Sequence, residues 1–158
     1  MLRYLWIAGL VLVLDQASKL IALQSLPPHG GIELLPFLNL TLVYNTGAAF
    51  GFLSDAGGWQ HLLFIGVAVV VGIAILVMVK RLGPKDIQVV IALMLVLGGA
   101  VGNVVDRLRL GHVVDFIDVY YRAWHWPAFN VADSAITIGA VLLLLDVVGV
   151  KLGRAHAR

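Results

Sequence analysis

Two aspartates stand in apolar surroundings, where an ionised carboxylate is costly to bury. Asp115 lies in the stretch GHVVDFIDV, and Asp133 lies in FNVADS, at the start of a long apolar run. Two carboxylates a few ångströms apart cannot both ionise cheaply, so they share a proton and one pKa rises. The ionised acid can then activate a water molecule, while the protonated acid polarises a carbonyl group and helps an amine to leave. If the fold brings the two acids together, they predict a hydrolase.

The other reactive side chains narrow the choice of chemistry. The chain has no cysteine, which excludes disulfides, thiolate nucleophiles and Cys-bound metals. No serine stands in G-x-S-x-G or S-x-x-K, and the adjacent Ser18 and Lys19 point apart on a helix, which argues against a Ser–Lys dyad. There is no H-E-x-x-H motif, and His112 and Asp115 have too few further ligands beside them to predict a metal site.

The composition indicates the solvent around these acids. Of the 158 residues, 61% are hydrophobic and 13% are charged, and the mean hydropathy is +0.98. A soluble domain is closer to half apolar and a quarter charged. The net charge of +2, without a basic stripe, gives no reason to expect nucleic-acid binding. The sequence therefore predicts an integral membrane protein, as a single domain over residues 1–158.

Four segments are long and apolar enough to cross a bilayer, which takes about 20 mainly apolar residues. They are residues 4–23, 62–79, 87–105 and 134–150. The first contains Asp15 and Lys19 and no clean cleavage site follows it, so we expect a retained helix and not a signal peptide. In the third, Gly98, Gly99 and Gly102 predict close packing against neighbouring helices.

Basic residues predict the orientation, because Lys and Arg concentrate in short cytoplasmic loops. One side of the predicted bundle carries Arg3, Lys80, Arg81, Lys85, Lys151, Arg154 and Arg158. The loop over 24–59 has no Lys or Arg, and the loop over 108–130 has Arg109 and Arg122. The predicted fold class is thus an all-α membrane protein with four transmembrane helices, both chain ends in the cytoplasm and the two longer loops outside.

The two outer loops have the pattern of strands. LNLTLVYN (Leu38–Asn45) alternates apolar and polar residues, and VVDFIDVYY (Val113–Tyr121) is β-branched and aromatic. A Gly-rich and aromatic stretch, residues 46–52, follows the first. These features predict a small extracytoplasmic β-sheet on the outer membrane surface. Trp59, Trp124 and Trp126 fit an interfacial aromatic belt better than a substrate-stacking role.

With this orientation, the polar residues of the spans gather at one depth, near the outer surface. They are Asp15, Lys19, Asn103, Asp106, Arg107, Asn130 and Asp133, and Asp115 lies in the outer loop beside them. Ionisable groups inside a span indicate a functional site by default. Some of these residues also have a plainer interpretation: Asp133 as a helix N-cap, Asp15 with Lys19 as a structural pair, and Asp106–Arg107 as a helix-end signal. Asp146, near the other end, is expected to be an interfacial charge beside Lys151. The residues alone leave open a hydrolase, a proton-coupled transporter or channel, and an assembly factor.

Five motifs in order along the chain resemble the lipoprotein signal peptidase family, also called signal peptidase II. They are DQASK (Asp15–Lys19), NTGAAF (Asn45–Phe50), GNVVDR (Gly102–Arg107), GHVVDF (Gly111–Phe116) and FNVADS (Phe129–Ser134). Any one of them would occur by chance, but together they cover nearly the whole chain at suitable spacing. No motif position departs from the family pattern.

The resemblance implies a membrane aspartic endopeptidase that uses no metal and no cofactor, with Asp115 and Asp133 as its catalytic pair. Its substrate would be a bacterial prolipoprotein whose cysteine carries a diacylglyceryl group, cleaved just before that cysteine. The active site would face the extracytoplasmic side of the bacterial cytoplasmic (inner) membrane, and the strands around 32–53 would form a cradle over it. The antibiotic globomycin would occupy the cleft, and we expect a monomer. Residues that match the family's supporting set are Asp15, Asn45, Asn103, Arg107 and Asn130, and Lys19, Gly47 and Asp106 complete the predicted site.

Overall fold

The computed structural model describes residues 1–47 and 57–151. The helices are α1 (Leu5–Ser25), α2 (Trp59–Arg81), α3 (Ile87–Leu110) and α4 (Val131–Val147), with short 3₁₀ turns at Leu2–Tyr4 and Pro84–Asp86. The strands are β1 (Gly31–Leu35), β2 (Leu38–Asn45), β3 (Val113–Tyr121) and β4 (Trp124–His125). Most of the predicted Gly-rich stretch, from residue 48 onward, and the basic residues Arg154 and Arg158 lie outside the described residues.

Three helical segments of the described chain are long and apolar enough to cross a membrane. They are Leu2–Ser25, Trp59–Arg81 and Pro84–Leu110. Many large apolar side chains on them point outward, as on the middle of α2, where Val70 is 67% exposed and free to contact lipid. The helix α4 has 17 residues, roughly 26 Å at 1.5 Å per residue, against a hydrocarbon core of about 30 Å. The protein is embedded in a membrane by several apolar helices, and the fourth crossing stays a prediction.

The central helix is α3, which packs against the other three helices. A Cβ atom at Gly98 would lie 2.7 Å from the Ala8 carbonyl oxygen of α1, and one at Gly99 would lie still closer to the Ala132 carbonyl oxygen of α4. These contacts are too close for any side chain, so the glycines allow backbones to meet directly. The predicted close packing of the glycine-containing segment is confirmed.

Most helix ends differ by a few residues from those of the predicted apolar runs, and two of these differences concern the polar residues. The helix α3 continues to Leu110 and ends at Gly111, whose φ of 73° is left-handed and whose N–H donates to the Arg107 carbonyl at 3.2 Å. The helix α3 continues beyond the apolar run because Asn103 and Asp106 are buried in protein and not in lipid. The helix α4 begins at Val131, with Asn130 as its N-cap. The interpretation of Asp133 as the N-cap is therefore wrong.

The four strands form one antiparallel sheet in the order β1-β2-β3-β4. The bounds of β2 and β3 are those predicted, because alternating and β-branched residues suit a half-buried sheet. Pairing of β2 with β3 places Val43 opposite Asp115 and Asn45 opposite Val113. Ala22 of α1 and Leu26, the residue that follows α1, pack with Phe116 of β3 and attach the sheet to the helices. The predicted combination of apolar helices with a small sheet is confirmed.

Candidate active site

The strand β3 and the start of α4 hold the two predicted catalytic acids. Asp115 is in the middle of β3 and only 1% exposed, and Asp133 is half-buried in the first turn of α4. The segment between them folds back on β3, because Phe129 N–H donates to the Ile117 carbonyl at 3.0 Å and Ile117 N–H donates to the Phe129 carbonyl at 2.9 Å. This bridge brings residues 18 positions apart to one cavity wall.

All four carboxylate oxygens of the pair accept hydrogen bonds from amide N–H groups. Asp115 Oδ1 accepts from Asn130 Nδ2 at 2.7 Å, and Asp115 Oδ2 accepts from Asn45 Nδ2 at 3.0 Å. Asp133 Oδ1 accepts from Asn103 Nδ2 at 2.8 Å, and Asp133 Oδ2 accepts from the Asn130 backbone N–H at 3.3 Å. Three asparagines from β2, α3 and the α4 N-cap therefore hold both acids in place.

Burial and, after it, the neighbouring charge of Asp133 raise the pKa of Asp115 from its ordinary 3.8 to about 7. Hydrogen bonds from Asn45 and Asn130 and the charge of Lys19 oppose this shift and do not cancel it. Asp115 therefore keeps its proton at a pH where an exposed aspartate has lost it. Asp133 lies at the positive end of the α4 dipole, where a negative charge is favoured.

A buried charge cluster lies behind the acids, between α1 and α3. Lys19 Nζ contacts Asp15 Oδ2 and Asp106 Oδ2, each at 2.8 Å, and donates to Asn103 Oδ1 at 3.0 Å. Asp15 Oδ1 accepts the Ala132 N–H of α4 at 2.9 Å, and Asp106 Oδ2 accepts the Val114 N–H of β3 at 3.1 Å. The cluster thus ties α1, α3, α4 and β3 together around the two acids. The paired arrangement of Asp15 with Lys19 that their spacing predicts is confirmed.

Arg107 joins α3 to the turn after β2. Its Nη2 donates to the Gly47 carbonyl at 3.0 Å, and its Nη1 donates to the Asn103 carbonyl at 3.4 Å. Its guanidinium lies 5.0 Å from the centre of the Phe64 ring of α2. Gly47 in turn donates its N–H to Asn45 Oδ1 at 3.0 Å. Arg107 therefore supports the asparagine that binds Asp115, and it also borders the cavity.

The cavity measures about 810 Å³, within the range of small-molecule and peptide sites. Its polar floor consists of Asn45, Asn103, Arg107, Asp115 and Asp133. Its walls are mainly apolar, and they include Val43, Tyr44, Val113, Trp126, Phe129, Ile136 and Ile138. The site combines a pair of acids with mainly apolar cavity walls. Such a site can hydrolyse a bond in an apolar or lipidated chain.

The structure sorts the predicted site residues into two groups. Five of them line the cavity, whereas Asp15, Lys19 and Asp106 lie in the charge cluster behind its wall, and Gly47 and Asn130 hold other residues in place. Trp126, predicted for the aromatic belt, lines the cavity.

Two residues that contact the predicted site residues, Gln16 and Phe64, were not predicted from the sequence. Gln16 donates to Asp15, Asp106 and the Gly102 carbonyl, and its polarity within an apolar segment was a signal. Phe64 contacts Arg107, and nothing in the sequence distinguished it from its apolar neighbours.

Comparison with solved structures places this architecture in a known class. Two structures of bacterial membrane enzymes share the fold. The first has a TM-score of 0.82 and 31% sequence identity, and the match covers 97% of this chain and 92% of that enzyme's chain. The other has a TM-score of 0.79 and 33% identity, with 92% of each chain covered. The class is therefore that of bacterial membrane enzymes.

Sequence comparison then gives the family. The family described as Signal peptidase (SPase) II matches residues 7–149. A lipoprotein signal peptidase of Pseudomonas putida is 54% identical over 147 residues, which is 92% of this chain and 86% of the relative. That of Pseudoalteromonas atlantica is 50% identical over 145 residues, 92% of this chain and 88% of the relative. The chain belongs to the signal peptidase II family and is a membrane peptidase, which decides against the transporter, channel and assembly-factor alternatives.

Proposed function

We propose that this protein is an aspartic endopeptidase that removes signal peptides from diacylglyceryl-modified prolipoproteins, cleaving just before the lipidated cysteine. The observation that carries the proposal is the pair Asp115 and Asp133 at one cavity, with all four oxygens held by amide donors. A raised pKa of about 7 at Asp115 lets the pair hold one proton near neutral pH.

The pair would act on a water molecule between the acids and the scissile carbonyl group. The ionised acid, which we assign to Asp133, takes a proton from water as the water oxygen bonds to the carbonyl carbon. Asp115 donates a hydrogen bond to the carbonyl oxygen and stabilises the charge that develops there. When the C–N bond breaks, the pair returns a proton to the leaving amine and again holds one proton. The products are a signal peptide with a free carboxylate and a protein with an amino-terminal cysteine.

The substrate class rests on the relatives and on the cavity walls. The relatives in Pseudomonas putida and Pseudoalteromonas atlantica are lipoprotein signal peptidases. A signal helix spans the bilayer and acyl chains anchor the cysteine, so the scissile bond of a lipidated precursor lies at the membrane–water boundary. A pair at the lip of α4, beside apolar walls such as Ile136 and Ile138, suits a bond at that depth.

The same reasoning gives the setting of the enzyme. We propose four membrane crossings, both chain ends in the cytoplasm, and an active site at the extracytoplasmic face of the bacterial cytoplasmic membrane. The sheet β1–β4 would lie on that face, over the cavity. A globomycin-type inhibitor would occupy the cavity, and the enzyme would act as a monomer.

Cleavage by purified protein in detergent tests the proposal. A prolipoprotein with a diacylglyceryl-cysteine is incubated with the wild type, Asp115→Asn or Asp133→Asn, in the presence of EDTA. We expect cleavage by the wild type and a loss of about 10⁴-fold or more in both variants, as when a member of a catalytic group is disabled. The matched control is Asp118→Asn, since Asp118 lies on β3 like Asp115 but binds His125 and Asn39 away from the cavity.

Three results separate the alternatives. Full activity of Asp118→Asn beside inactive, folded Asp115→Asn and Asp133→Asn supports the carboxylate pair. Cleavage by both cavity variants contradicts it, and so does inhibition by EDTA. Mass spectrometry of the products checks the position of the cut, which must leave the lipidated cysteine as the first residue.

A further inference from the structure

Three asparagines bind the catalytic acids, and each is oriented from its far side by an obligate hydrogen-bond donor. An asparagine amide has an acceptor end and a donor end of nearly the same shape, so its neighbours decide which end points where. Asn45 Oδ1 accepts from the Gly47 N–H at 3.0 Å, and Asn130 Oδ1 accepts from the Asp133 N–H at 2.9 Å. Both amides therefore turn their NH₂ groups towards Asp115.

The third asparagine, Asn103, differs from the other two, because its strongest orienting donor is a side chain and not a backbone N–H. Its Oδ1 accepts from Lys19 Nζ at 3.0 Å, and an ammonium group can only donate. Its Nδ2 must then face Asp133 Oδ1, which it contacts at 2.8 Å. Lys19 is 2% exposed and does not line the cavity, so its charge acts on the two catalytic acids from a distance and its hydrogen bond reaches them through Asn103.

We propose that Lys19 is a positioning residue for catalysis: held by Asp15 and Asp106, it fixes the Asn103 amide so that Asn103 donates to Asp133 and keeps that acid ionised as the base. This inference rests on the proposed function and deepens it. Asn103 Oδ1 also accepts from Asn130 Nδ2 at 3.3 Å, a longer bond from a neutral donor than the bond from Lys19. Without Lys19 the Asn103 amide is therefore held less firmly and turns its oxygen towards Asp133 more often, where two oxygens repel. The catalytic pair Asp115 and Asp133 then loses the first of its two protons only at a higher pH than in the wild type.

The charged and titratable groups around this point come from every element that packs on it. The helix α1 supplies Asp15 and Lys19, α3 supplies Asp106 and Arg107, β2 supplies Tyr44 at the cavity wall, β3 supplies Asp115 and α4 supplies Asp133. The Lys19 ammonium is the one cation among these that both contacts the buried acids and binds Asn103 by its side-chain oxygen.

The test is the pH profile of kcat/KM for Lys19→Met in detergent. We expect kcat to fall about 10- to 100-fold, as when an outer partner of an active-site residue is removed, with KM near the wild-type value. The acidic limb of the profile should move to higher pH by about one unit, because a charge-assisted hydrogen bond and a nearby cation no longer favour the ionised pair. Removal of Lys19 leaves the buried Asp15 and Asp106 without their cation, which destabilises the fold. The double variant Lys19→Met/Asp106→Asn removes one of these two negative charges and is therefore measured as well.

Two further variants make the test specific. Gln16→Met is the matched control, because Gln16 binds the same Asp15 and Asp106 but makes no hydrogen bond to Asn103. It should lower the thermal unfolding temperature and leave the acidic limb in place. Asn103→Leu keeps the ion pairs of Lys19 and removes the amide on which it acts, so it should move the acidic limb as Lys19→Met does.

The outcomes distinguish this inference from the proposed function. A wild-type acidic limb in the folded Lys19 variants, or in Asn103→Leu, overturns the positioning role. An equal shift in Gln16→Met also overturns it, since general damage to the cluster would then explain the result. Cleavage by Asp115→Asn and Asp133→Asn would instead contradict the carboxylate pair itself, whatever the Lys19 variants do.

Discussion

At the scale of single residues, the two asparagines of β2 form a matched pair. Asn45 donates to Asp115 in the cavity at 3.0 Å, and Asn39 donates to Asp118 outside it at 3.2 Å. Both bonds join β2 to β3, so both should stabilise the sheet to a similar degree. The bond of Asn45 alone bears on catalysis, because it favours the ionised form of Asp115.

This difference predicts the pH dependence of the reaction. The proposed pair needs one proton, so kcat/KM should fall as the pH rises through about 7, where Asp115 loses its proton. Asn45→Ala removes a donor to the carboxylate and raises that pKa, so the basic limb should move to higher pH by about one unit. The pH profile of kcat/KM measures both effects.

Asn39→Ala is the control for that profile. It removes an equivalent bond between the same strands, and we expect a basic limb at the wild-type position. An identical shift in both variants would mean that loosening the sheet, and not the hydrogen bond to Asp115, moves the limb. A basic limb far from neutral pH in the wild type would contradict the raised pKa of Asp115.

At the scale of single residues, the sequence predicted which side chains belong to the site but not which of them contact each other. Sequence reasoning selected Asp115 and Asp133 by chemistry and elimination and placed most of the supporting polar residues at one depth, and motif resemblance added Asn45 and Gly47. It could not show that Asn45 meets Asp115, because that contact depends on the register of β2 on β3, a long-range property. Nor could it separate residues on the cavity floor from those behind it, since Asp106 and Arg107 are adjacent in sequence and face different neighbours.

At the scale of elements, the N-cap of α4 combines two tasks in one side chain. Asn130 Oδ1 accepts the Asp133 N–H and caps the helix, while Asn130 Nδ2 donates to Asp115. Asn130→Ser keeps a good cap and loses the amide donor, whereas Asn130→Ala loses both. We expect a similar loss of kcat/KM in the two variants, about 10- to 100-fold. Only Asn130→Ala should also lose the capping contribution, about 1 kcal/mol.

Thermal unfolding in detergent, measured beside kcat/KM, separates these two effects. The unfolding temperature of Asn130→Ser should lie closer to the wild type than that of Asn130→Ala. If Asn130→Ser cleaves at the wild-type rate, the donor to Asp115 has no part in catalysis and Asn130 is only a cap.

The contact of α3 with α1 gives a second prediction at this scale. A Cβ atom at Gly102 would lie 2.6 Å from Asp15 Oδ2, and Asp15 is fully buried and bound to Lys19 and to the Ala132 N–H. Gly102→Ala must therefore push apart a fixed ion pair, at a cost of about 1–3 kcal/mol in stability. We expect an unfolding temperature several degrees lower.

Gly9→Ala in α1 is the control for that substitution. A Cβ atom at Gly9 meets no heavy atom within 4 Å, so the added methyl group is free of contacts and improves helix propensity. Its unfolding temperature should equal or exceed that of the wild type. Equal losses in Gly9→Ala and Gly102→Ala would mean that helix flexibility, and not the contact with Asp15, makes glycine necessary.

At the scale of the whole molecule, the apolar segments and the strands β2 and β3 could be predicted, and their assembly could not. Period-two alternation located β2, and β-branched residues located β3, because half-buried strands select such residues. Helix ends were less predictable: α3 continues past its apolar run because protein, not lipid, covers Asn103 and Asp106. Composition alone cannot distinguish those two environments at the end of a span.

The orientation of the molecule in the membrane supplies the last prediction, and the absence of native cysteine makes it easy to test. Single cysteines are placed at Gly83 between α2 and α3, at Val150 after α4, at Glu33 on β1 and at Val70 in the middle of α2. A thiol reagent that cannot cross membranes should label Glu33→Cys in intact cells. Gly83→Cys and Val150→Cys should react only after the membrane is opened, because positively charged loops stay in the cytoplasm.

Val70→Cys is the internal control for the bilayer itself. Val70 is 67% exposed on the protein surface, so a thiol there would react freely in water, but lipid should prevent the thiolate from forming. Labelling of Val70→Cys would therefore place α2 outside the bilayer. Labelling of Val150→Cys from the same side as Glu33→Cys would show that α4, with its 17 residues, does not cross the membrane. In that case the proposed four crossings would be wrong, while the carboxylate pair and its cavity would be unaffected.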